Sequence, residues 1–330
     1  MKRNAGFSLI ELMISAAIVL IVMVYVMQAF TVQHKAYVVV DQVAEAQQNL
    51  RAISDMVERE VRRSGYMVHR HLVLCGWDET DAPDTPFVSK SDAIRSIFDL
   101  EDQNDDLLPK FARVNGTSSA WTASGPSFAL SLQQLWIDVA ADGDDFVIGE
   151  GVIVGTKTDL QAPVACGIIS GIGGTTLTVD FGDTSVGPIG FNSEVIAVPA
   201  NVYRLTPPTG GTPGRFSRNG RLIASDVEDF QVTYFFDLNG DLVVDAGERF
   251  GTATGTARPY ELTPAANRPD FSSLEEVRLS LVTVTRSDDP NTDYQIGAGQ
   301  LTGNRATGLP TGDGKRRRVS TARVRPRSEG

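Results

Sequence analysis

Twelve consecutive residues, Asp237-Leu-Asn-Gly-Asp-Leu-Val-Val-Asp-Ala-Gly-Glu248, set side-chain oxygens at loop positions 1, 3, 5, 9 and 12 through Asp237, Asn239, Asp241, Asp245 and Glu248. The Val243 carbonyl falls at position 7. Hard oxygen donors gathered from one short segment are what Ca2+ takes, with a structural rather than catalytic role, and the spacing is that of an EF-hand loop. Position 6 departs from that pattern, with Leu242 where a turn-making Gly is usual and Gly240 two residues earlier. The same residues also read as an acidic hairpin turn following a strand, and both readings stand. Cys75 and Cys166 are the only cysteines. If paired, they close a long loop and remove roughly 4 to 5 kcal/mol of denatured-state entropy by the chain model. Two free thiols, or a bond to a partner, are the other readings. Glu11 is the third chemical feature, the one charge between Phe7 and Phe30. A carboxylate in such a segment costs about 2.5 to 3.5 kcal/mol at mid-bilayer on insertion scales. The dipole of a helix N-terminus offsets part of that, and a cationic partner would offset more.

Little else suggests chemistry. His34, His69 and His71 are too few and too scattered for a catalytic or metal set, and the chain has no Gly-rich phosphate loop, C-x-x-C or G-x-S-x-G. No enzyme activity, no small-molecule substrate and no required cofactor are expected. The 330 residues carry 30 Lys and Arg against 41 Asp and Glu, a formal net charge of −11 that disfavours a nucleic-acid partner. That charge is uneven. Lys315, Arg316, Arg317, Arg318, Arg323, Arg325 and Arg327 crowd the last sixteen residues against Glu329 alone. The alternation of Val319, Thr321 and Arg323 with Ser320, Ala322 and Val324 reads as a strand with a charged, aggregation-resistant edge.

The elements that position these groups follow from periodicity. After Glu11, Leu12 to Phe30 gives 19 residues without charge, Pro or Gly, about 28 Å of helix and so near the thickness of a bilayer core. Lys2 and Arg3 place the N-terminus in the cytoplasm and the remainder outside, where disulfides persist. No Pro or Gly occurs between Phe7 and Gly65, and Val39, Val43, Ala46, Leu50, Ile53, Val57 and Val61 recur at spacings of three and four. One continuous helix is therefore predicted, its second half laying an apolar stripe on a head. Glu58 and Arg62 form an i, i+4 pair on it, and Gly65 is its natural stop.

The stretch Gly6-Phe7-Ser8-Leu9-Ile10-Glu11-Leu12-Met13-Ile14 resembles the class III leader junction of type IV pilins and type II secretion pseudopilins. The resemblance implies cleavage between Gly6 and Phe7 by a membrane-embedded prepilin peptidase and methylation of the new Phe7 amine. It also implies that Glu11 pairs with the N-terminal ammonium of a neighbouring subunit during assembly. Two charges costly alone in an apolar medium become tolerable together, which rewards docking and fixes register. Many major pilins of the family carry a Pro where this chain has Gln28, so any melting of the helix there is not encoded by Pro.

Residues 66 to about 125 read as loop-rich and include the acidic run Asp99 to Asp106. Strand-like runs follow at Phe128 to Leu132, Val152 to Val154, Thr175 to Phe181, Glu194 to Val198, Asn201 to Leu205, Asp229 to Phe236 and Glu276 to Arg286. Phe230, Val232, Tyr234 and Phe236 share one face, as do Val277, Leu279 and Leu281. The fold class expected is α+β, a long N-terminal helix packed on a large antiparallel β-rich head. The large head, Leu222 to Tyr234, Val277-Arg-Leu-Ser-Leu and the ending Lys315-Arg-Arg-Arg-Val-Ser-Thr resemble PilW-type minor pilins, relatives of the J-type pseudopilins. The division implied is a cleaved leader at 1–6, a transmembrane and filament-core helix at 7–30, its amphipathic continuation at 31–64, and a periplasmic or extracellular head at 65–330. Partners implied are prepilin peptidase, the inner membrane, the major pilin and other minor pilins. A secretion pseudopilin, and a tip adhesin or DNA-uptake subunit, are the alternatives; the pseudopilin usually has a smaller head.

Overall fold

The computed structural model describes residues 8–64, 74–77, 85–89, 110–115, 128–132, 146–156, 165–173, 176–180, 194–209, 212–241, 249–250, 274–286 and 315–326. Helix α1 runs Leu9–Arg63 without interruption, about 82 Å at 1.5 Å per residue. Ser8 caps its start, and its end is closed by Ser64, whose extended backbone turns the chain aside. The Ser64 amide donates to the Glu60 carbonyl at 2.9 Å and its hydroxyl to the Val61 carbonyl at 2.5 Å. The stop thus falls at Ser64; Gly65, the expected stop, lies outside the described residues. Val39, Ala46, Leu50, Ile53, Val57 and Val61 are buried, with Val43 half-buried on the flank. Every helical residue from Leu9 to Tyr37 is exposed.

Beneath the buried half lies a four-stranded antiparallel sheet. Its strands are β11 (Val227–Phe236), β12 (Arg249–Phe250), β13 (Leu274–Val284) and β14 (Arg317–Val324), in the order β12-β11-β13-β14. Alternation makes one face of β11 and β13 apolar. Register aligns Phe230 with Leu281, Val232 with Leu279 and Tyr234 with Val277, and all six belong to the core that contains Leu50, Ile53, Val57 and Val61. Thr283, on that same face, donates its hydroxyl to the Ala46 carbonyl at 3.3 Å. Ser320 of β14 lies 3.3 Å from Ser54, hydroxyl to hydroxyl. The basic ending is thus an edge strand under the helix, as its alternation predicts.

The first ten strands form a second, larger sheet: β1 (Leu74–Trp77), β2 (Thr85–Ser89), β3 (Lys110–Asn115), β4 (Phe128–Leu132), β5 (Gly151–Thr156), β6 (Ala165–Gly173), β7 (Thr176–Asp180), β8 (Glu194–Thr206), β9 (Arg215–Arg218) and β10 (Arg221–Ser225). Going round from β8 through β3, β4, β7, β6 and β5 returns to β8, so six antiparallel strands close into a ring. Closure removes exposed edges. β8 is the spine, continuing past the ring to pair with β2 and β9.

Two expectations are corrected here. The 66 to 125 segment, read as loop, contributes β1, β2 and β3, each too short to show periodicity. Glu194 to Val198 and Asn201 to Leu205 are one strand, not two. Pro199 reads as a breaker because it lacks an amide donor. It is tolerated because it pairs with Val152 of β5 while the opposite side changes partner, from β3 through Ala197 to β2 from Ala200. The β9–β10 hairpin turns at Asn219 and Gly220, with φ of 50° and 74°, the left-handed pair that a two-residue hairpin requires.

Candidate functional site

The candidate assembly feature begins at the tip of α1. The Ser8 amide donates to Glu11 Oε2 at 3.1 Å, so the carboxylate in the first turn satisfies one of the helix's open donors. Glu11 is exposed, as are the apolar residues around and beyond it: Leu9, Leu12, Ile14 and Ile18 are each more than half exposed. Gly6 and Phe7 lie outside the described residues. α1 alone among the described helices is long and apolar enough to cross a membrane. Beyond Phe30, the exposed stretch continues for seven residues to Tyr37 before the head begins to cover the helix.

Two polar joints fix the other half of α1 to the head. At its far end Glu60 accepts from Asn201 at 3.0 Å, from the Tyr203 hydroxyl, and from Arg218 at 2.8 Å. Asn219, held in its left-handed turn, donates to Asn201 Oδ1 at 2.9 Å and to Glu150 at 3.0 Å. Its side-chain oxygen, Oδ1, receives the Val202 amide at 2.8 Å. Tyr203 is stacked on Phe216 with ring centroids 5.9 Å apart. Burial, then the Glu60 charge and hydrogen bond, push its hydroxyl well above the usual tyrosine range.

The nearer joint centres on Arg286. It reaches both oxygens of Asp226 at 2.6 to 2.9 Å and Glu45 on α1 at 3.1 Å. Asp226 itself is buried, has φ of 64°, and receives the Val284 amide on its carbonyl. Hydrogen bonding to Asp226 raises the Arg286 guanidinium above the ordinary arginine value. Neither joint was legible as such. Both glutamates sit among other charged or polar helical residues, although Glu60 stands three residues after Val57 and beside Val61, where a charge must find a partner. The predicted Glu58–Arg62 pair does form.

Three arginines of the described basic ending reach carboxylates. Arg317, only 4 % exposed, holds Glu228 through two bonds of 2.5 and 2.9 Å. Arg323 and Arg325 reach Glu276 and Glu275 at 3.7 and 3.6 Å. Of the calcium-loop residues, Asp237, Asn239 and Asp241 are described, and Val243, Asp245 and Glu248 lie outside. Asp237 receives the Gly240 amide at 2.8 Å and Asn239 the Asp241 amide at 2.9 Å. Gly240, with φ of 76°, makes the sharp turn that Leu242 could not. Among the described residues, no three His, Cys, Asp or Glu side chains converge as a metal would need. His69 and His71 fall outside the described residues. Cys166 is buried in β6.

A family model described as the prokaryotic N-terminal methylation motif matches residues 1–27. The chain carries the N-terminal methylation motif of a prepilin leader. No curated protein matches the chain. Among solved structures, a type IV-like pilin from Thermus thermophilus matches at 14% identity over 55% of this chain and 85% of that one, with a TM-score of 0.21. The motif covers Gly6, Phe7 and Glu11 together with the exposed apolar helix. On a long helix docked to an antiparallel β head, it supports a type IV pilin-like protein.

Proposed function

We propose that the protein is a PilW-like minor pilin of a type IV pilus. It is cut between Gly6 and Phe7 by prepilin peptidase, methylated on Phe7, and held in the inner membrane with a cytoplasmic N-terminus and a periplasmic head. It then enters the fibre at or near the tip, where with other minor pilins it primes growth by the major pilin and hence motility and adhesion. Its role is structural rather than enzymatic. The observation that carries this reading is the first half of α1, where the lone Glu11 sits in 29 consecutive helical residues that the head leaves exposed. Such a surface needs lipid or other helices to cover it, and a lone carboxylate within it needs a cation.

The test is incorporation. Sheared filaments from the native host should contain the wild-type chain, and Glu11→Gln should be cleaved normally yet be depleted from the fibre at least tenfold. Undiminished incorporation of Glu11→Gln would refute the pairing role. Filaments that form at normal abundance without this chain would refute priming.

Two stabilising features belong to the same reading. Cys75 and Cys166 form a disulfide: Cys166 is buried, no cysteine among the described residues is a free thiol, and β1, which carries Cys75, packs against β6. A two-dalton mass gain on reduction of the unalkylated head checks this. The 237–248 loop binds Ca2+, supported by its oxygen spacing and by the turn at Gly240. A melting temperature indifferent to both chelator and added Ca2+ would remove that site.

A further inference from the structure

The outer face of the β8–β9–β10 sheet holds charges that reach no carboxylate among the described residues. Register places Arg204 opposite Ser217 and Ser217 opposite Leu222, one row across three strands. Arg215 stands opposite Thr206, one diagonal step from Arg204 and so roughly 7 to 8 Å away. Arg204, Thr206, Arg215 and Leu222 are all exposed. Six other arginines of the head, at 218, 278, 286, 317, 323 and 325, each reach a carboxylate. Among the described residues, Arg204 and Arg215 reach none, nor do Arg221 in the same hairpin and Arg318 on β14.

Two like charges side by side repel, and in a chain of net charge −11 acidic side chains to offset them are plentiful. Their isolation favours a counter-charge from outside. Guanidinium forks take carboxylates in two-point contacts. Leu222, 52 % exposed in the same row, adds an apolar contact of the kind found at the centre of protein interfaces.

A membrane is out of reach. Arg215 pairs with Ser225, whose hydroxyl receives Arg286, which in turn bonds Glu45. Glu45 lies fifteen residues beyond Phe30, about 22 Å along α1, well beyond the Debye length of about 8 Å. Nucleic acid fits poorly too, since two arginines fall well short of the roughly 6 to 10 phosphate contacts typical of a salt-sensitive DNA-binding surface and the chain as a whole carries −11.

We propose that this face docks an acidic surface of a different, neighbouring filament subunit, with carboxylates on Arg204 and Arg215 and an apolar side chain on Leu222. This rests on the assembly reading above. The test replaces Leu222 with a photo-crosslinking residue in the full chain in its native host. The expected product joins this chain to another pilin-like subunit. Arg204→Glu with Arg215→Glu should cut its yield at least fivefold with unchanged leader processing and head melting, whereas Arg204→Lys with Arg215→Lys should stay within about twofold. In the unaltered arginine background, yield on isolated filaments should fall as salt rises, which keeps the test alive if the charge-reversed chain misfolds. Undiminished yield, a product with nucleic acid, a product between two copies, or no product from a processed and assembled chain would each overturn the proposal. A chain that is never processed or assembled would sink the assembly reading itself, and this proposal with it.

Discussion

One helix lives in two environments. From Leu9 to Tyr37 α1 touches nothing of its own head, whereas from Val39 to Val61 it buries one stripe and anchors both flanks through Glu45 and Glu60. Both halves lack Pro and Gly, so backbone propensity does not separate them. The difference is in pattern. The first half is apolar on every side from Leu12 to Phe30, as a helix surrounded by lipid or by other helices must be, and the second confines its apolar residues to a stripe because water covers the rest. Register with the head is fixed by charge at each end of that stripe.

The contrast can be broken most forcefully in the core. Ile53→Ala should lower head stability by about 2 to 4 kcal/mol in chemical unfolding of the full chain in detergent, because Ile53 is 1 % exposed. Ile18→Ala should leave that transition unmoved, and equal effects would show that the halves are not independent. Next in size, Glu60→Gln leaves the charge of Arg218 without its partner at a half-buried joint, and an expected loss of about 1 to 3 kcal/mol follows. A cycle with Tyr203→Phe should be non-additive.

A pH series sharpens the same joint. In the folded chain the Tyr203 hydroxyl ionises later than in the unfolded chain. The corresponding stability is therefore complete below about pH 10, the unfolded tyrosine value, and is lost as pH rises above it. Wild type should weaken more steeply than Tyr203→Phe over that alkaline range, and parallel curves would remove the burial argument. The smallest effect belongs to the near joint. Glu45→Ala should cost about 1 kcal/mol or less, because Arg286 and Glu45 are nearly half exposed and screened while Arg286 keeps its bonds to buried Asp226. Its salt dependence, measured against wild type, isolates the ionic part.

The same contrast explains what was readable. The helix was legible to within two residues, because a run without breakers and a stripe at spacings of three and four leave few alternatives. β11 and β13 were legible because their faces alternate. β8 read as two strands because the partner switch that rescues Pro199 is a tertiary fact. β6 is hidden in the sequence because Gly167, Gly171 and Gly173 resemble loop. Closure of the six-stranded ring depends on pairings between strands far apart in sequence, to which local pattern is blind. Asn219-Gly220 carried a hairpin signal that could have been read. In the site, Glu11 stood out because nothing around it is charged, whereas Glu60 hid among Glu58, Arg59, Arg62 and Arg63, where charge is ordinary.

The proposed role requires that the chain lose its leader before the bare half of α1 is packed into a fibre. Intact-mass measurement of the chain recovered from envelope fractions of a peptidase-competent host tests it most directly. The expected mass is that of residues 7–330 plus one methyl group, with side-chain charge changed from −11 to −13 by loss of Lys2 and Arg3. A chain that retains Met1 to Gly6 in such a host would contradict the account.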